Sequence, residues 1–125
     1  MIHHVSVGTD DVARARAFYD PLMALLGYRS VRDNTHSLDY GVNDVIFSVE
    51  TPIDGQPASA GNGVHICFMA GDRAQVDAFH AKALQLGGRD GGAPGVRERY
   101  NPNYYGAFVF DPDGNKIEAV THSGK

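Results

Sequence analysis

Residues 65–88 repeat residues 4–27 at a displacement of 61 positions, and this internal repeat constrains the fold more than any other feature. His65 falls on His4, Asp72 on Asp11, Ala74 on Ala13, Ala78 and Phe79 on Ala17 and Phe18, and Gly88 on Gly27. The matched positions carry matched local patterns. Val5 and Val7 alternate with His4 and Ser6, and Ile66 and Phe68 alternate with His65 and Cys67, which is the period of a strand. Thr9-Asp10-Asp11 and Gly71-Asp72 supply short acceptor side chains for a helix N-terminus. Val12, Ala15, Phe18 or Tyr19, Leu22 and Leu26 line one face of the first helix, and Val76, Phe79, Ala83 and Leu86 one face of the second. Gly27 and Gly87-Gly88 end the two helices, and Pro21 is expected to kink or split the first.

Short strands should follow each helix. They are expected at 28–33, 36–41 and 44–49 in the first half, and near 96–100, 104–111 and 115–121 in the second. A glycine-rich stretch, 91–95, precedes the second set, and Asp113-Gly114 forms a tight turn between its last two strands. The final strands match at a displacement of 71, which sets Ile46 with Ile117, Phe47 with Glu118 and Val49 with Val120. The fold class expected is α+β. Two βαβββ modules, 1–50 and 63–122, form curved mixed sheets around a cleft within one domain, joined by a Pro/Gly-containing linker at 51–62.

A chain of 125 residues can bury a core without disulfide or metal staples. Its net charge of −4 argues against nucleic acid as a partner, because phosphate binding needs a basic field. Cys67 is the only cysteine, so no internal disulfide can form and a reducing, cytoplasmic setting fits. No apolar run is long enough to cross a membrane, and the N-terminus lacks the pattern of a signal peptide.

Strand alternation also selects a site. If Val5, Val7, Ile66, Phe68, Ile117 and Ala119 pack on the helices, then His4, Ser6, His65, Cys67 and Glu118 face the cleft. Two imidazoles and a carboxylate are a competent set for a divalent transition metal, with coordination positions left open. His3 falls on the other face. The segment 96–106 adds two arginines, three tyrosines and two asparagine amides, which suit a small polar organic ligand, one carrying a carboxylate among them.

The chain resembles the vicinal oxygen chelate superfamily over nearly its whole length. The residues that carry the resemblance are His4-Val5-Ser6-Val7, Arg16-Ala17-Phe18-Tyr19, Leu26-Gly27-Tyr28, Val64-His65-Ile66 and the run Phe110-Asp111-Pro112-Asp113-Gly114-Asn115-Lys116-Ile117-Glu118. The run looks like the DPDGxxIE signature of glyoxalase-like and dioxygenase-like members. The resemblance implies the glyoxalase/bleomycin resistance/dihydroxybiphenyl dioxygenase fold and a metal (iron, manganese, zinc or nickel) held by His4, His65 and Glu118. It also implies a homodimer, in which the halves of some relatives exchange between subunits. Glu118 would be the catalytic residue, and Ser6, Phe47, Arg99, Tyr104 and Phe108 would contact the substrate.

Glyoxalase I and methylmalonyl-CoA epimerase resemble this chain but carry a polar fourth ligand on the last strand of the first half. On the displacement of 71 that position is Phe47, and Glu50 falls on the opposite face. A standard glyoxalase I is thereby disfavoured, since moving a proton between carbons needs a base near the metal. The expectation is a metal-dependent lyase, dioxygenase or transferase acting on a small oxygen-rich molecule. The alternative is a metal-free protein that sequesters a drug or metabolite. His36 and His80 are further candidates by residue type alone.

Overall fold

The computed structural model describes residues 1–32 and 34–125. Eight strands and two helices follow one another as β1 (Val5–Gly8), α1 (Val12–Leu25), β2 (Arg29–Arg32), β3 (Ser37–Gly41), β4 (Val45–Glu50), β5 (His65–Met69), α2 (Arg73–Gln85), β6 (Arg89–Val96), β7 (Tyr105–Phe110) and β8 (Lys116–Thr121). They form two four-stranded mixed sheets, ordered β1-β4-β3-β2 and β5-β8-β7-β6. In each sheet the first strand runs parallel to the last and the other pairings are antiparallel. This is the expected pair of βαβββ modules. Asp33, the last residue of the strand expected at 28–33, lies outside the described residues.

The helix ends follow from the residues that mark them. The Asp11 and Asp72 side chains accept from the backbone N–H groups of Arg14 and Gln75, satisfying donors that a helix start leaves open. At the far ends Tyr28 N–H donates to the Met23 carbonyl and Gly88 N–H to that of Ala83. Gly27 and Gly87 hold the positive φ that this closure requires, at 88° and 100°. The left-handed residue of the second half is therefore Gly87, one position before the repeat partner of Gly27. The second helix is one residue shorter than the first.

Pro21 does not split α1, which is one helix from Val12 to Leu25. The proline leaves a backbone carbonyl without its helical donor, a cost set against the burial of Phe18, Tyr19, Leu22 and Met23 around it. Full burial of such side chains contributes roughly 1.5–3 kcal/mol each.

The second module differs from expectation in its strand positions. Residues 89–96, including the glycine-rich stretch, are strand β6, and of the strand expected at 96–100 only Val96 is strand, while 98–100 form a turn. Arg97 N–H donates to the Tyr104 carbonyl, Tyr100 N–H to Arg97 and Tyr104 N–H to Asn101, closing the loop between β6 and β7. The glycines let β6 pass tightly under aromatic rings. A Cβ on Gly91 would stand 3.1 Å from Phe110 Cε2, and one on Gly92 3.1 Å from Phe108 Cδ2.

The two modules meet in one core. Phe47 of β4 packs edge-on against Phe68 of β5 with ring centroids 5.0 Å apart, and Gln75 of α2 donates to the Leu25 carbonyl of α1. The Asp111–Asn115 turn adds a polar clasp. Buried Asp111 accepts from the Tyr19 hydroxyl at 2.6 Å, and Asn115 Nδ2 donates to the Gly8 carbonyl at 2.9 Å. Asp113 accepts from Arg14 and from the Asp10 backbone. Three residues of the signature run, Asp111, Asp113 and Asn115, thus join the second module to the first. Among the described residues no helix is long and apolar enough to cross a membrane.

Candidate functional site

Helices cover one face of each sheet, and Ser6, His65 and Glu118 lie on the other. On β5 the alternation is visible in burial: Phe68 is buried, while His65, Cys67 and Met69 are exposed. On β8 Ile117 and Ala119 lie in the core. Glu118 points to the opposite face, yet only 1% of it is exposed, because the neighbouring side chains close over it.

Glu118 is the centre of a compact cluster. His65 Nε2 lies 3.1 Å from its Oε1, and the Tyr104 hydroxyl donates to its Oε2 at 2.5 Å. Gly106 makes the second bond possible, since a Cβ there would stand 2.9 Å from Glu118 Oε2 and 3.2 Å from Tyr104 Cε1. Burial and the Glu118 carboxylate both hold the Tyr104 phenol above its ordinary range. The Cys67 thiol is pushed up to about 12, first by burial and then by the Glu118 charge. Phe108, across the ladder from Glu118, stacks near His65 with centroids 5.8 Å apart. Arg99 lines the same cavity of about 620 Å³ and donates to the Tyr100 hydroxyl.

His4 lies elsewhere. It precedes β1 on the first sheet and lines a separate cavity of about 470 Å³ with His3, Ser6, Arg32, Asp39, Asp44, Ser48 and Glu50. His3, expected on the wrong face, joins it there. The His3 and His4 Nδ1 atoms lie within hydrogen-bond distance at 2.8 Å, and His3 Nε2 lies 3.0 Å from Asp44 Oδ2. Among the described residues, no three His, Cys, Asp or Glu side chains converge within one chain as a metal site. The structure thus brings together two of the three expected ligands, His65 and Glu118. Their chemistry suits a divalent cation, which would take the place of the proton between them.

Strand register corrects the fourth position. Ser6 pairs with Ser48 on the first sheet, and Cys67 pairs with Glu118 on the second. Ser6 and Cys67 each lie two residues beyond the repeated histidine, so the counterpart of Glu118 is Ser48 and the true displacement is 70. Phe47 corresponds to Ile117 and is a core residue, 1% exposed, packed on Tyr19 and Phe68. It is not a pocket residue. Glu50 shares the Ser48 face and lines the His4 cavity, contrary to expectation. The ground for disfavouring an isomerase therefore falls, because the fourth position is polar and carboxylates stand beside it.

One of those carboxylates was missed by sequence reasoning. Asp39 on β3 is 2% exposed and accepts from Ser48 Oγ at 2.6 Å, Ser37 Oγ at 3.0 Å and Arg32 Nε at 3.2 Å. Desolvation pushes its carboxyl up, but the Ser48, Arg32 and Ser37 bonds outweigh that and leave it below the ordinary value. A lone acid within a short strand, directly across from Ser48, was the available signal. Ser6 opens onto the His4 cavity and onto a larger one of about 780 Å³ bounded by residues 51–53. His80 pairs with Asp90 at 2.9 Å, and His36 lines the larger cavity. Neither borders the Glu118 cluster.

Two modules with this topology, each presenting a histidine at the start of its first strand, define the class of the protein, and comparison with known proteins agrees. The chain matches the family model described as Glyoxalase/Bleomycin resistance protein/Dioxygenase superfamily over residues 1–119, and it belongs to that superfamily. It is 39% identical to a glyoxalase/bleomycin resistance protein from Albidiferax ferrireducens T118, covering 94% of this chain and 96% of that one with a TM-score of 0.88. A lactoylglutathione lyase from Agrobacterium tumefaciens shares the fold at 21% identity and a TM-score of 0.68, covering 97% of this chain and 92% of that one. So does a glyoxalase-related enzyme from Fulvimarina pelagi, at 17% identity and a TM-score of 0.75, covering 97% and 87%. No protein with a curated description matches the chain.

Proposed function

We propose that the protein is a metal-dependent enzyme acting on a small oxygen-rich molecule, with a site shared between two copies of the chain. His65 and Glu118 of one copy and His4 of the other would hold the metal. The observation that carries this reading is the buried Glu118 carboxylate, set 3.1 Å from His65 Nε2. His4 supports it, because His3 engages its Nδ1 and leaves Nε2 as the outward donor. When bound, a divalent ion would act as a Lewis acid on vicinal oxygens of the substrate.

The chain's own residues supply the rest. Tyr104 fixes the Glu118 carboxylate and carries a proton at the cavity wall. Phe108 gives the cavity an apolar wall. Ser48 and Asp39, on the face that His4 shares, would bring a hydroxyl and a carboxylate to the opposite side of a shared cleft.

Mixing variants tests both the metal and the sharing. His4→Ala and His65→Ala should each lose metal uptake, measured by elemental analysis after loading with manganese, iron, nickel or zinc. Refolded together in equal amounts, they should regain roughly a quarter of the wild-type sites, one per mixed C2 dimer. No metal uptake by the wild-type chain would overturn the reading in favour of metal-free ligand sequestration. Uptake without recovery in the mixture would overturn the sharing.

A further inference from the structure

We infer that the cavity beside Glu118 recognises an organic carboxylate, gripped by Arg97 and Lys116 with Arg99 at the rim. The inference names the substrate class of the proposed site and rests on that reading for its catalytic meaning. The binding itself requires no metal.

Three cations line this one cavity in a chain whose net charge is −4. None of them has a carboxylate partner among the described residues, whereas Arg14 and Arg32 both do. Among the described residues Glu118 is the only acid lining the cavity, and His65 and Tyr104 already engage its two oxygens. Unpaired cations converging on one space leave that space attractive to an anion.

Two of the cations are placed over one ring. Lys116 Nζ lies 4.9 Å from the Phe108 ring centroid, and Arg97 Cζ lies 5.7 Å from it. Lys116 shares a strand face with Glu118, two residues before it. Arg97 is held flat by the β6 backbone, donating from Nη2 to the Ala93 carbonyl at 2.8 Å. A Cβ on Gly95 would stand 3.0 Å from its Nη1, and one on Gly92 3.3 Å from its Nη2. The glycine-rich stretch therefore gives the guanidinium a bed. A planar fork held in place suits a planar carboxylate, which it can meet with two parallel hydrogen bonds. Arg99 stacks over Tyr100 at 4.8 Å and adds charge where the ligand enters.

The arrangement also orients the ligand. The carboxylate is drawn to Arg97 and Lys116, and the body of the molecule lies between Phe108 and Tyr104. The cavity of about 620 Å³ has room for both.

Benzoate and its uncharged isostere benzamide test the idea by calorimetry or NMR titration in chelator, with inorganic phosphate as a third probe. Benzoate should bind, benzamide should bind at least tenfold more weakly, and added salt should weaken benzoate. Arg97→Gln and Lys116→Gln should each cost about tenfold in benzoate affinity. Arg89→Gln, whose guanidinium lies over Phe110 outside the cavity, should leave it unchanged. Equal binding of benzoate and benzamide, or equal loss in all three variants, would overturn the inference. Phosphate binding more tightly than benzoate would overturn the carboxylate assignment. Metal uptake by the same preparations is read separately, so loss of the metal reading would leave the benzoate result standing.

Discussion

The Ser48 hydroxyl donates to the Asp39 carboxylate at 2.6 Å, on the face of the first sheet that carries His4. Ser48 is the positional twin of Glu118, so the two modules solve the same position differently. One places its carboxylate on the last strand, and the other places it one strand over, behind a hydroxyl. Removing the donor by Ser48→Ala should destabilise the protein by about 1–3 kcal/mol, because a buried ion loses a hydrogen bond. Urea unfolding of the two proteins at neutral pH measures this.

The same carboxylate predicts a pH dependence. The folded-state pKa of Asp39 lies below 3.8, so its contribution to stability is fully present above that value. It is lost as pH falls through the lower, folded value. Asp39→Asn should therefore be less stable than wild type at pH 6, and the gap should narrow below pH 3.8. Unfolding curves from pH 6 to pH 2 would show it, and a gap that widens with acid would contradict the assignment.

Gly106 is the tightest point of the Glu118 cluster. Gly106→Ala places a methyl group within 3 Å of Glu118 Oε2, so the carboxylate must move or its bond to Tyr104 must break. The expected cost is about 1–3 kcal/mol, as for overpacking elsewhere. Metal uptake should fall in step. Tyr104→Phe should leave the backbone relaxed while removing the same hydrogen bond, which separates crowding from loss of the bond.

Cys67 is exposed by surface area, yet its thiol is held at about 12. A raised pKa means less thiolate at neutral pH, and the thiolate is what reacts. Alkylation by iodoacetamide at pH 8 should be slower than for free cysteine by about a hundredfold or more. Glu118→Gln removes the nearby charge and should speed the reaction.

Tyr19→Phe should lower stability by about 1–2 kcal/mol, since it takes a donor from buried Asp111. Burial already holds the Asp111 carboxyl above its ordinary value despite four hydrogen bonds. Denaturant midpoints should shift while the slope of the transition stays the same. Benzoate binding should be untouched.

Much of the architecture was readable in the residues because it rests on short-range chemistry. Caps at Asp11 and Asp72, left-handed glycines and alternating valines act within a few positions of the chain. The register of β4 against β1 was not readable by sliding one half over the other, because the loops differ in length and a one-residue slip exchanges the two faces of a strand. Alternation within β4 did hold the answer: Val45, Phe47 and Val49 are the apolar set, and Ser48 belongs with Ile46 and Glu50. The position of His4 relative to Glu118 was beyond sequence reach for another reason. It depends on how two sheets sit in space, and strand patterns carry no record of that.

The Asp111–Asn115 turn, the most recognisable run in the chain, mostly faces inward, tying the β7–β8 corner to α1 and β1. It works as the seam of a duplicated unit. That role holds two modules together in this chain, whatever reaction it carries or lacks. A search keyed to those five residues counts buildings by their keystone, and what is done inside must be read from other residues.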